Sequence, residues 1–192
     1  MTEVAVAGTS TRPLVSVVVP LYNEERVVTE LLERLARVAD RLDDRYAFEF
    51  VFVDDGSTDG TGQVAKQLNL HTITHAQNRG YGAAQKTGYH EAVRQGADLA
   101  VLVHGDNQYD PSFVPQFIAK IRDEGCAVVT GTRMILGDAL ENGMPLWKFF
   151  PNKFLTGIEN IVFGTQLSDY HNGYRAFSTE FLKSIPLDLL SN

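Results

Sequence analysis

The sequence predicts a single α/β domain built on a mostly parallel sheet that is covered by helices on both faces. Along residues 14–130, short apolar segments rich in β-branched residues alternate with segments whose apolar residues recur at helical spacing. Such alternation is typical of right-handed strand–helix–strand crossovers, which orient the strands in one direction. Polar residues follow each of the first four predicted strands, at the sheet edge where α/β proteins bind ligands.

The elements are predicted in chain order from these patterns. Strands are predicted over 14–19, 48–53, 70–74, 98–103, 126–130 and 174–178. The first helix is predicted to be capped by Asn23, and the later ones to cover 61–68, 83–94, 111–122 and 179–184. The apolar positions of the first helix recur every three or four residues, at Val27, Leu31, Leu35, Val38 and Leu42. Asp110 and Pro111 are a typical N-cap and first residue of the fourth helix.

Composition limits the classes of partner. The 192 residues suffice for one domain, and the net charge of −7 argues against nucleic acid as a partner. The single cysteine, Cys126, excludes an internal disulfide and is predicted to be a buried strand residue in a protein of a reducing compartment. Residues 1–12 are predicted to be a flexible terminus without a signal peptide. Since no apolar run approaches membrane-spanning length, we expect a cytoplasmic protein, with peripheral membrane contact as a further possibility.

A metal site is predicted after the fourth strand. The apolar segment Leu99–Val103 ends at His104, Asp106 and Gln108, which are spaced two apart. In an extended segment these three side chains would point the same way and could bind one ion. Imidazole suits Mn or Zn better than Mg. Alternatively, His104 makes no metal contact and packs or hydrogen-bonds at the strand end.

Four polar segments should meet at the carboxyl edge of the sheet, namely residues 20–24, 54–59, 78–82 and 104–110. Closely spaced carboxylates repel one another, and a divalent cation relieves that repulsion. Arginine side chains can bind phosphate oxygens through paired donors, and the candidates are Arg79, Arg133 and Arg175. There is no Walker-A loop and no three-glycine dinucleotide motif. The pattern favours a phosphorylated ligand bound together with a metal ion.

The motifs resemble those of family 2 glycosyltransferases, with greatest similarity to the dolichyl-phosphate mannose synthase-like branch. The resemblance is carried by the segments Pro20–Glu24, Val53–Thr61, Asn78–Gly80 with Gly82, Gly105–Gln108, Gly131–Arg133, Met144-Pro145, Asn152 and Gly173–Phe177. It covers most of residues 14–178 and implies a GT-A fold, a three-layer α/β/α arrangement around a mostly parallel sheet. One position departs from the pattern, because His104 stands where the metal motif of these synthases usually begins with Asp.

The resemblance also implies roles for individual residues. The nucleotide would be held by Pro20, Tyr22, Asn23, Glu24, Asp54, Asp55, Arg79, Gly80 and Lys86. The metal, Mn or Mg, would be held by Asp106 and Gln108, with His104 as a possible third ligand. Catalysis would depend on Asp106, Arg133 and Arg175, with the two arginines near the diphosphate or the acceptor phosphate.

The implied reaction is an inverting transfer of a sugar from a GDP-mannose- or UDP-glucose-type donor to a polyprenyl or dolichyl phosphate at a membrane surface. Two alternatives stay open: an acceptor hydroxyl on a glycan or small molecule, and a non-catalytic nucleotide-sugar-binding relative. A hydroxyl acceptor needs a general base, for which Asp138, Asp169 and His171 are candidates. Because such enzymes generally continue beyond this point, part of the acceptor side is expected to be missing.

The segment 144–163 bears on the acceptor. Apolar side chains recur at roughly helical spacing, at Trp147, Phe150, Phe154 and Ile158, with Lys148 and Lys153 between them. One interpretation is a helix that faces lipid or covers the acceptor, with basic anchors. The simpler alternative is a helix packed against the sheet, since apolar stripes are usually core.

Overall fold

The computed structural model describes residues 12–132, 146–164, 166, 168 and 172–189. Its strands are β1 (Leu14–Leu21), β2 (Ala47–Asp54), β3 (Thr72–Thr74), β4 (Leu99–Leu102), β5 (Val128–Thr130) and β6 (Arg175–Ser178). Its α-helices are α1 (Val28–Arg41), α2 (Thr61–Gln67), α3 (Tyr81–Arg94), α4 (Val114–Arg122), α5 (Leu146–Phe163) and α6 (Thr179–Ser184). Short 3-10 helices cover Pro111–Phe113 and Leu187–Leu189.

The six strands form one mostly parallel sheet in the order β3-β2-β1-β4-β6-β5. Strand β1 lies at its centre and pairs in parallel with β2 and β4. Strand β6 is the exception, since it runs antiparallel to both of its neighbours, β4 and β5. The carboxyl ends of β1, β2, β3 and β4 therefore share one edge of the sheet, as predicted.

The core lies on both faces of this sheet because side chains alternate along each strand. On β1, Val15, Val17 and Val19 pack into the larger cluster, which also holds the buried apolar face of α1 and α4. Val18 points to the opposite face and packs in a cluster with Tyr89 of α3. The result is a sheet between two helical layers, as in the predicted GT-A architecture.

Helix α3 approaches β1 closely at a single glycine. A side-chain carbon on Gly88 would collide with Cγ1 of Val18, so only glycine permits this spacing. The close approach brings the start of α3, and with it Tyr81, to the carboxyl edge of the sheet beside the end of β1. The packing of one buried glycine thus helps to position the functional edge.

The predicted elements are confirmed, with local differences. Asn23 is not a helix cap: its φ of 59° is left-handed, and α1 begins only at Val28. Cys126 is half-buried and precedes β5, whereas a buried strand residue was predicted. Asp110 does act as an N-cap, because its carboxylate accepts a hydrogen bond from the amide of Ser112 at 3.0 Å. It caps a 3-10 turn that leads into α4.

Helix α5 exposes apolar side chains. Exposed positions include Phe154 at 70%, Ile158 at 43%, Ile161 at 84% and Val162 at 69%. For Phe154 and Ile158 the interpretation of a stripe packed on the sheet is therefore wrong, while the side chains of Trp147 and Phe150 lie outside the described part. No described helix is long and apolar enough to cross a membrane.

Candidate active site

A cleft of about 260 Å³ opens at the carboxyl edge of the sheet. It is lined by the end of β1, by the loops after β1, β2, β3 and β4, and by the first turn of α3: Pro20, Leu21, Tyr22, Glu24, Asp55, Asn78, Gly80, Tyr81, Ala84, His104, Gly105 and Asp106. Seven of these are residues for which the sequence predicted a role in nucleotide or metal binding. We call the side formed at the ends of β1, β2 and β3 (residues 20–25, 54–61 and 75–80) the nucleotide wall, after its predicted role, and the side formed by residues 104–110 the acidic wall.

The loops after β1 and β2 are joined by hydrogen bonds within the nucleotide wall. The Asn23 amide donates to Ser57 Oγ at 3.0 Å, and Asn23 Oδ1 accepts from the Thr58 amide at 2.8 Å. Asp54 Oδ1 accepts from the Ser57 amide at 3.0 Å. Asn23 and Asp54 were predicted to hold the nucleotide, but neither lines the cleft. In this structure they shape the loops that do.

Glu24 is held at the mouth of the cleft by its backbone. Its amide donates to Thr61 Oγ1 at 2.7 Å, and the buried Thr61 hydroxyl donates in turn to Asp59 Oδ1 at 2.5 Å. Glu24 is thereby positioned along the lining of the cleft.

Asp55 organises the rear of the nucleotide wall. This residue is buried, and its carboxylate accepts from the amides of Arg79 and Gly80 at 3.0 and 2.9 Å. Its Oδ1 also lies 2.6 Å from Nδ1 of the buried His75, whose Nε2 lies 2.9 Å from Thr87 Oγ1. The Asp55 carboxylate thus connects the end of β2 to His75 after β3 and to the loop of Arg79 and Gly80. Through His75 it is also linked to α3.

His104, on the acidic wall, lies between the rings of Tyr81 of α3 and Tyr109. Its ring centroid is 4.9 Å from that of Tyr81 and 4.6 Å from that of Tyr109, and its Nε2 is hydrogen-bonded to the Tyr81 hydroxyl. Burial of that hydroxyl raises the pKa of Tyr81, which keeps the proton available for donation. Gly173 packs directly against the His104 ring, where a side-chain carbon would collide with it. These contacts support packing and hydrogen bonding by His104, and metal ligation by this residue stays a prediction.

The assumption of an extended segment from His104 to Gln108 is wrong. Strand β4 ends at Leu102, and Asn107 has a left-handed φ of 59°. The chain turns here, so that the Gln108 amide donates to Asp106 Oδ1 at 3.1 Å and the Gln108 side chain is exposed. Alternation along a strand therefore does not bring the three predicted ligands together.

Glu24 and Asp106 both line the cleft and lie close enough for their charges to interact. Burial, followed by repulsion from Asp106 and Asp59, raises the pKa of Glu24 above its ordinary value. Among the residues that the structure describes, no group of three His, Cys, Asp or Glu is arranged as a complete metal site. Two carboxylates nevertheless fit a Mg²⁺ or Mn²⁺ ion whose other ligands are water and substrate phosphate, as in many nucleotide enzymes.

The structure describes three of the other predicted residues, and none of them lines the cleft. Arg175 stands opposite Leu102 where β4 ends, and its Nε donates to the Asn172 carbonyl at 3.0 Å. The Arg79 side chain is exposed, while Lys86 is half-buried on α3, and neither lines the cleft. Arg133 lies outside the described residues, as do Asp138, Asp169 and His171.

Two residues that organise the site were missed from the sequence. His75 follows directly after β3, and that position at a strand end was an available signal. Arg34 lies in the middle of α1, yet it hydrogen-bonds to Asn107 and forms an ion pair with Asp110 at 3.1 Å. No local pattern distinguishes Arg34 from the other arginines of its helix.

Comparison with known proteins extends the sequence argument. The family model described as Glycosyl transferase family 2 matches residues 16–185. An uncharacterised protein of Methanocaldococcus jannaschii is 34% identical, over 92% of this chain and 69% of that protein. The UDP-N-acetylglucosamine–dolichyl-phosphate N-acetylglucosaminyltransferase of Methanococcus voltae is 30% identical, over 88% of this chain and 71% of its own length. The polyprenol monophosphomannose synthase of Mycolicibacterium smegmatis is 26% identical, over 92% of this chain and 66% of its own length.

Solved structures support the fold. Glucosyl-3-phosphoglycerate synthase from Mycobacterium tuberculosis, crystallised with UDP, superposes with a TM-score of 0.66 at 21% identity, over 91% of this chain and 60% of that one. The structure of the same enzyme with Mn²⁺ and UDP-glucose gives a TM-score of 0.65 at 22% identity, over 91% of this chain and 59% of that one. The chain thus spans about three fifths of the length of the structure it matches.

Proposed function

The chain belongs to glycosyl transferase family 2, and we propose that it transfers a sugar from a nucleoside-diphosphate sugar to a polyprenyl phosphate, with inversion at the sugar carbon and with bound Mn²⁺ or Mg²⁺. The observation that carries this proposal is the pair of acidic residues, Glu24 and Asp106, that line one cleft at the carboxyl edge of the sheet and interact through their charges. Such a pair fits a cation shared with a diphosphate.

The donor is assigned to the cleft because the two walls offer different chemistry. The nucleotide wall presents the half-exposed Tyr22 ring and the backbone around Gly80, which suit a base and a ribose. The acidic wall presents Asp106, which suits the metal-bound diphosphate. Solved structures of the same fold contain UDP-glucose and Mn²⁺, which supports this arrangement.

The reaction needs little proton transfer if the acceptor is a phosphate. An acceptor phosphate oxygen attacks the anomeric carbon, the bond from that carbon to the donor's β-phosphate oxygen breaks, and the nucleoside diphosphate leaves with the electron pair. A phosphate monoester has a second pKa near 6, so at pH 7 its nucleophilic oxygen is largely deprotonated. The bound cation would neutralise charge that develops on the leaving diphosphate.

The chain's own residues would hold these groups in place. Asp106 and Glu24 would bind the cation, and Arg175, at the end of β6, would add a positive charge beside the diphosphate or the acceptor phosphate. Asp55 would act indirectly, since its carboxylate fixes the amides of Arg79 and Gly80. The contribution expected of Arg133 rests on the family resemblance alone.

The acceptor is assigned from the relatives and from α5. Two relatives act, by name, on dolichyl phosphate and on polyprenol. In this chain, α5 exposes Phe154, Ile158, Ile161 and Val162 with the exposed Lys153 among them. An apolar helix face with a basic residue is suited to a lipid surface that carries phosphate. We therefore place the proposed reaction at the membrane surface.

Calorimetry with UDP and GDP, each with Mn²⁺, with Mg²⁺ and with EDTA, tests the donor site. We expect metal-dependent binding of one nucleotide, and we expect Asp106→Asn to remove the metal-dependent part while the folded state persists. Glu33→Gln, an exposed carboxylate on α1, serves as the matched control. Binding of neither nucleotide to a folded sample, or full metal dependence in Asp106→Asn, would contradict the assignment.

A transfer assay tests the acceptor, with polyprenyl phosphate in phospholipid vesicles compared against soluble glycans. Turnover only with the lipid phosphate supports the proposal, whereas turnover with a hydroxyl acceptor alone would replace it. Ile161→Ser should reduce vesicle binding and lipid-dependent turnover. The matched control is Leu189→Ser, because Leu189 is 83% exposed but lies outside α5.

A further inference from the structure

We propose that Arg34, which lies on α1 outside the cleft, is a positioning residue that sets the conformation of the Asp106 turn before metal or donor binds. The inference rests on the proposed function, because it concerns the carboxylate proposed to hold the metal. It adds a residue on an element that contributes no side chain to the lining of the cleft.

The guanidinium of Arg34 holds the acidic wall at several points. It donates to the Oδ1 of Asn107 and to the carbonyl oxygen of the same residue, the latter at 3.4 Å. It also donates to Asp110 Oδ1 at 3.1 Å, as an ion pair in which the Arg34 side chain is 25% exposed. These contacts span residues 107 to 110, directly after Asp106.

The turn needs such support because its backbone conformation is unfavourable. Asn107 has a φ of 59°, and a non-glycine residue in the left-handed region costs about 1 kcal/mol unless its surroundings compensate. The ladder of β4 ends at Leu102, so the turn is not held by strand pairing. The bonds from Arg34 add to the bond within the turn, which runs from the Gln108 amide to Asp106 Oδ1.

Two other contacts complete the frame around the turn. The Tyr174 hydroxyl donates to the carbonyl of Asp110 at 3.1 Å, and the Tyr81 hydroxyl binds His104. The ends of the acidic wall are thus held by α3 and the segment before β6, while Arg34 holds its middle. The Asp106 side chain accepts a hydrogen bond from the Gln108 amide, within the turn itself.

The geometry requires arginine. Its planar fork reaches a carbonyl, an amide oxygen and a carboxylate at once, whereas the single ammonium of a lysine can reach fewer of them. Arg34→Lys should therefore restore part of what Arg34→Gln loses. Arg37, about one turn further along α1, lines a small surface groove together with Arg34 and Asp110 but makes none of these bonds, so Arg37→Gln is a matched control.

Hydrogen exchange of the metal-free protein tests the inference independently of function. In Arg34→Gln we expect the amides of residues 107–112 to exchange about tenfold faster, which corresponds to the loss of a hydrogen bond, while those of the nucleotide wall stay unchanged. Arg37→Gln should leave both regions unchanged. Unaltered exchange at 107–112 in folded Arg34→Gln would overturn the proposal.

The functional part is tested by splitting nucleotide affinity into its metal-free and metal-dependent components. Arg34→Gln should reduce the gain in affinity on adding Mn²⁺ by about tenfold or more and leave the affinity in EDTA unchanged, with partial rescue by Arg34→Lys. Equal losses with and without metal would indicate a merely structural role and overturn the positioning role. If the wild type shows no metal-dependent gain, the proposed function fails, whereas the exchange data still decide whether Arg34 holds the turn.

Discussion

The two walls of the cleft are stabilised in different ways. The nucleotide wall consists of loops that bond to one another through backbone amides and short side chains, such as Asn23 with Thr58 and Asp55 with Gly80. The acidic wall is a turn held from outside, by Arg34 of α1 and Tyr81 of α3. The nucleotide wall is held largely by bonds among its own loops, whereas the acidic wall is held by side chains of α1 and α3.

This difference assigns separate roles to the two walls. A wall bonded within its own loops should hold the proposed nucleoside site in place when α1 moves slightly. A turn supported by long side chains transmits such movements to Asp106 and hence to the proposed metal. Substitutions in the first wall should therefore affect stability and nucleotide binding together, whereas substitutions around the second should affect metal dependence selectively.

The largest effect is expected from Asp55→Ala. The change leaves His75 and the Arg79 amide without their acceptor, while the Gly80 amide keeps a bond to Asn78 Oδ1. Unsatisfied buried groups cost about 1–3 kcal/mol each. Denaturant unfolding should show a loss of about 3 kcal/mol or more, and calorimetry should show loss of nucleotide binding even in EDTA.

The matched control for that change is Asp123→Ala, an exposed carboxylate after α4, which should alter stability by less than about 0.5 kcal/mol. A similar small loss for Asp55→Ala would mean that the nucleotide wall does not depend on this carboxylate, and the comparison between the walls would fail.

An intermediate effect is expected from Gly173→Ala. The added carbon would collide with the His104 ring, which must then move and weaken its bond to Tyr81. Overpacking of this kind costs about 1–3 kcal/mol. Thermal unfolding should report the destabilisation, and the Mn²⁺-dependent part of nucleotide affinity should fall more than the affinity in EDTA. At Gly131, by contrast, an added carbon would meet its neighbours at an ordinary 3.4 Å, so Gly131→Ala should leave metal dependence intact.

The smallest effect on stability is expected from Glu24→Gln, which changes the carboxylate of the nucleotide wall that interacts with Asp106. The pKa of Glu24 is raised above 4.5 by burial and by repulsion from Asp106, so its ionised form opposes folding. Glu24→Gln should raise the melting temperature of the metal-free protein at pH 7, and the gain should vanish as the pH falls through the raised pKa and below 4.5, where Glu24 is protonated in both states.

Glu24→Gln should also weaken the Mn²⁺-dependent binding of nucleotide. One substitution is thus expected to raise the melting temperature and to lower the affinity. Melting curves at pH 4 and 7 for Glu24→Gln and for the exposed Glu33→Gln separate the local repulsion from the general loss of one charge. An unchanged melting temperature at pH 7 would show that the carboxylates do not face each other closely enough to repel.

Much of the fold and part of the site followed from the sequence. Strand positions were predicted because β-branched runs such as those of β1 and β4 carry a strong local signal. The helix start at Asp110 was predicted because its cap is a local device. The placement of Glu24, Asp55 and Asp106 in one cleft followed from parallel topology, which brings strand ends together whatever the loops do.

Other features depended on contacts between distant residues. Asn23 has the residue type of a helix cap, yet it bonds to the loop after β2 and takes a left-handed conformation. The prediction of an extended segment from His104 to Gln108 was wrong because β4 ends at Leu102. That residue is also the last one of β4 that pairs with the antiparallel strand β6. Helix α5 shows the opposite error, since its apolar spacing looked like a core stripe but is exposed in part.

The sequence by itself determined the alternation of strands and helices, the edge at which the site lies and the glycosyl transferase family to which the chain belongs. These depend on periodicity and on short motifs, which are local properties. Only the tertiary structure decided that Arg34 supports the Asp106 turn, that Tyr81 binds His104 and that Asp55 is buried against His75. Such bonds join residues 20 to 76 positions apart, and their geometry exists only once the sheet has brought the helices together.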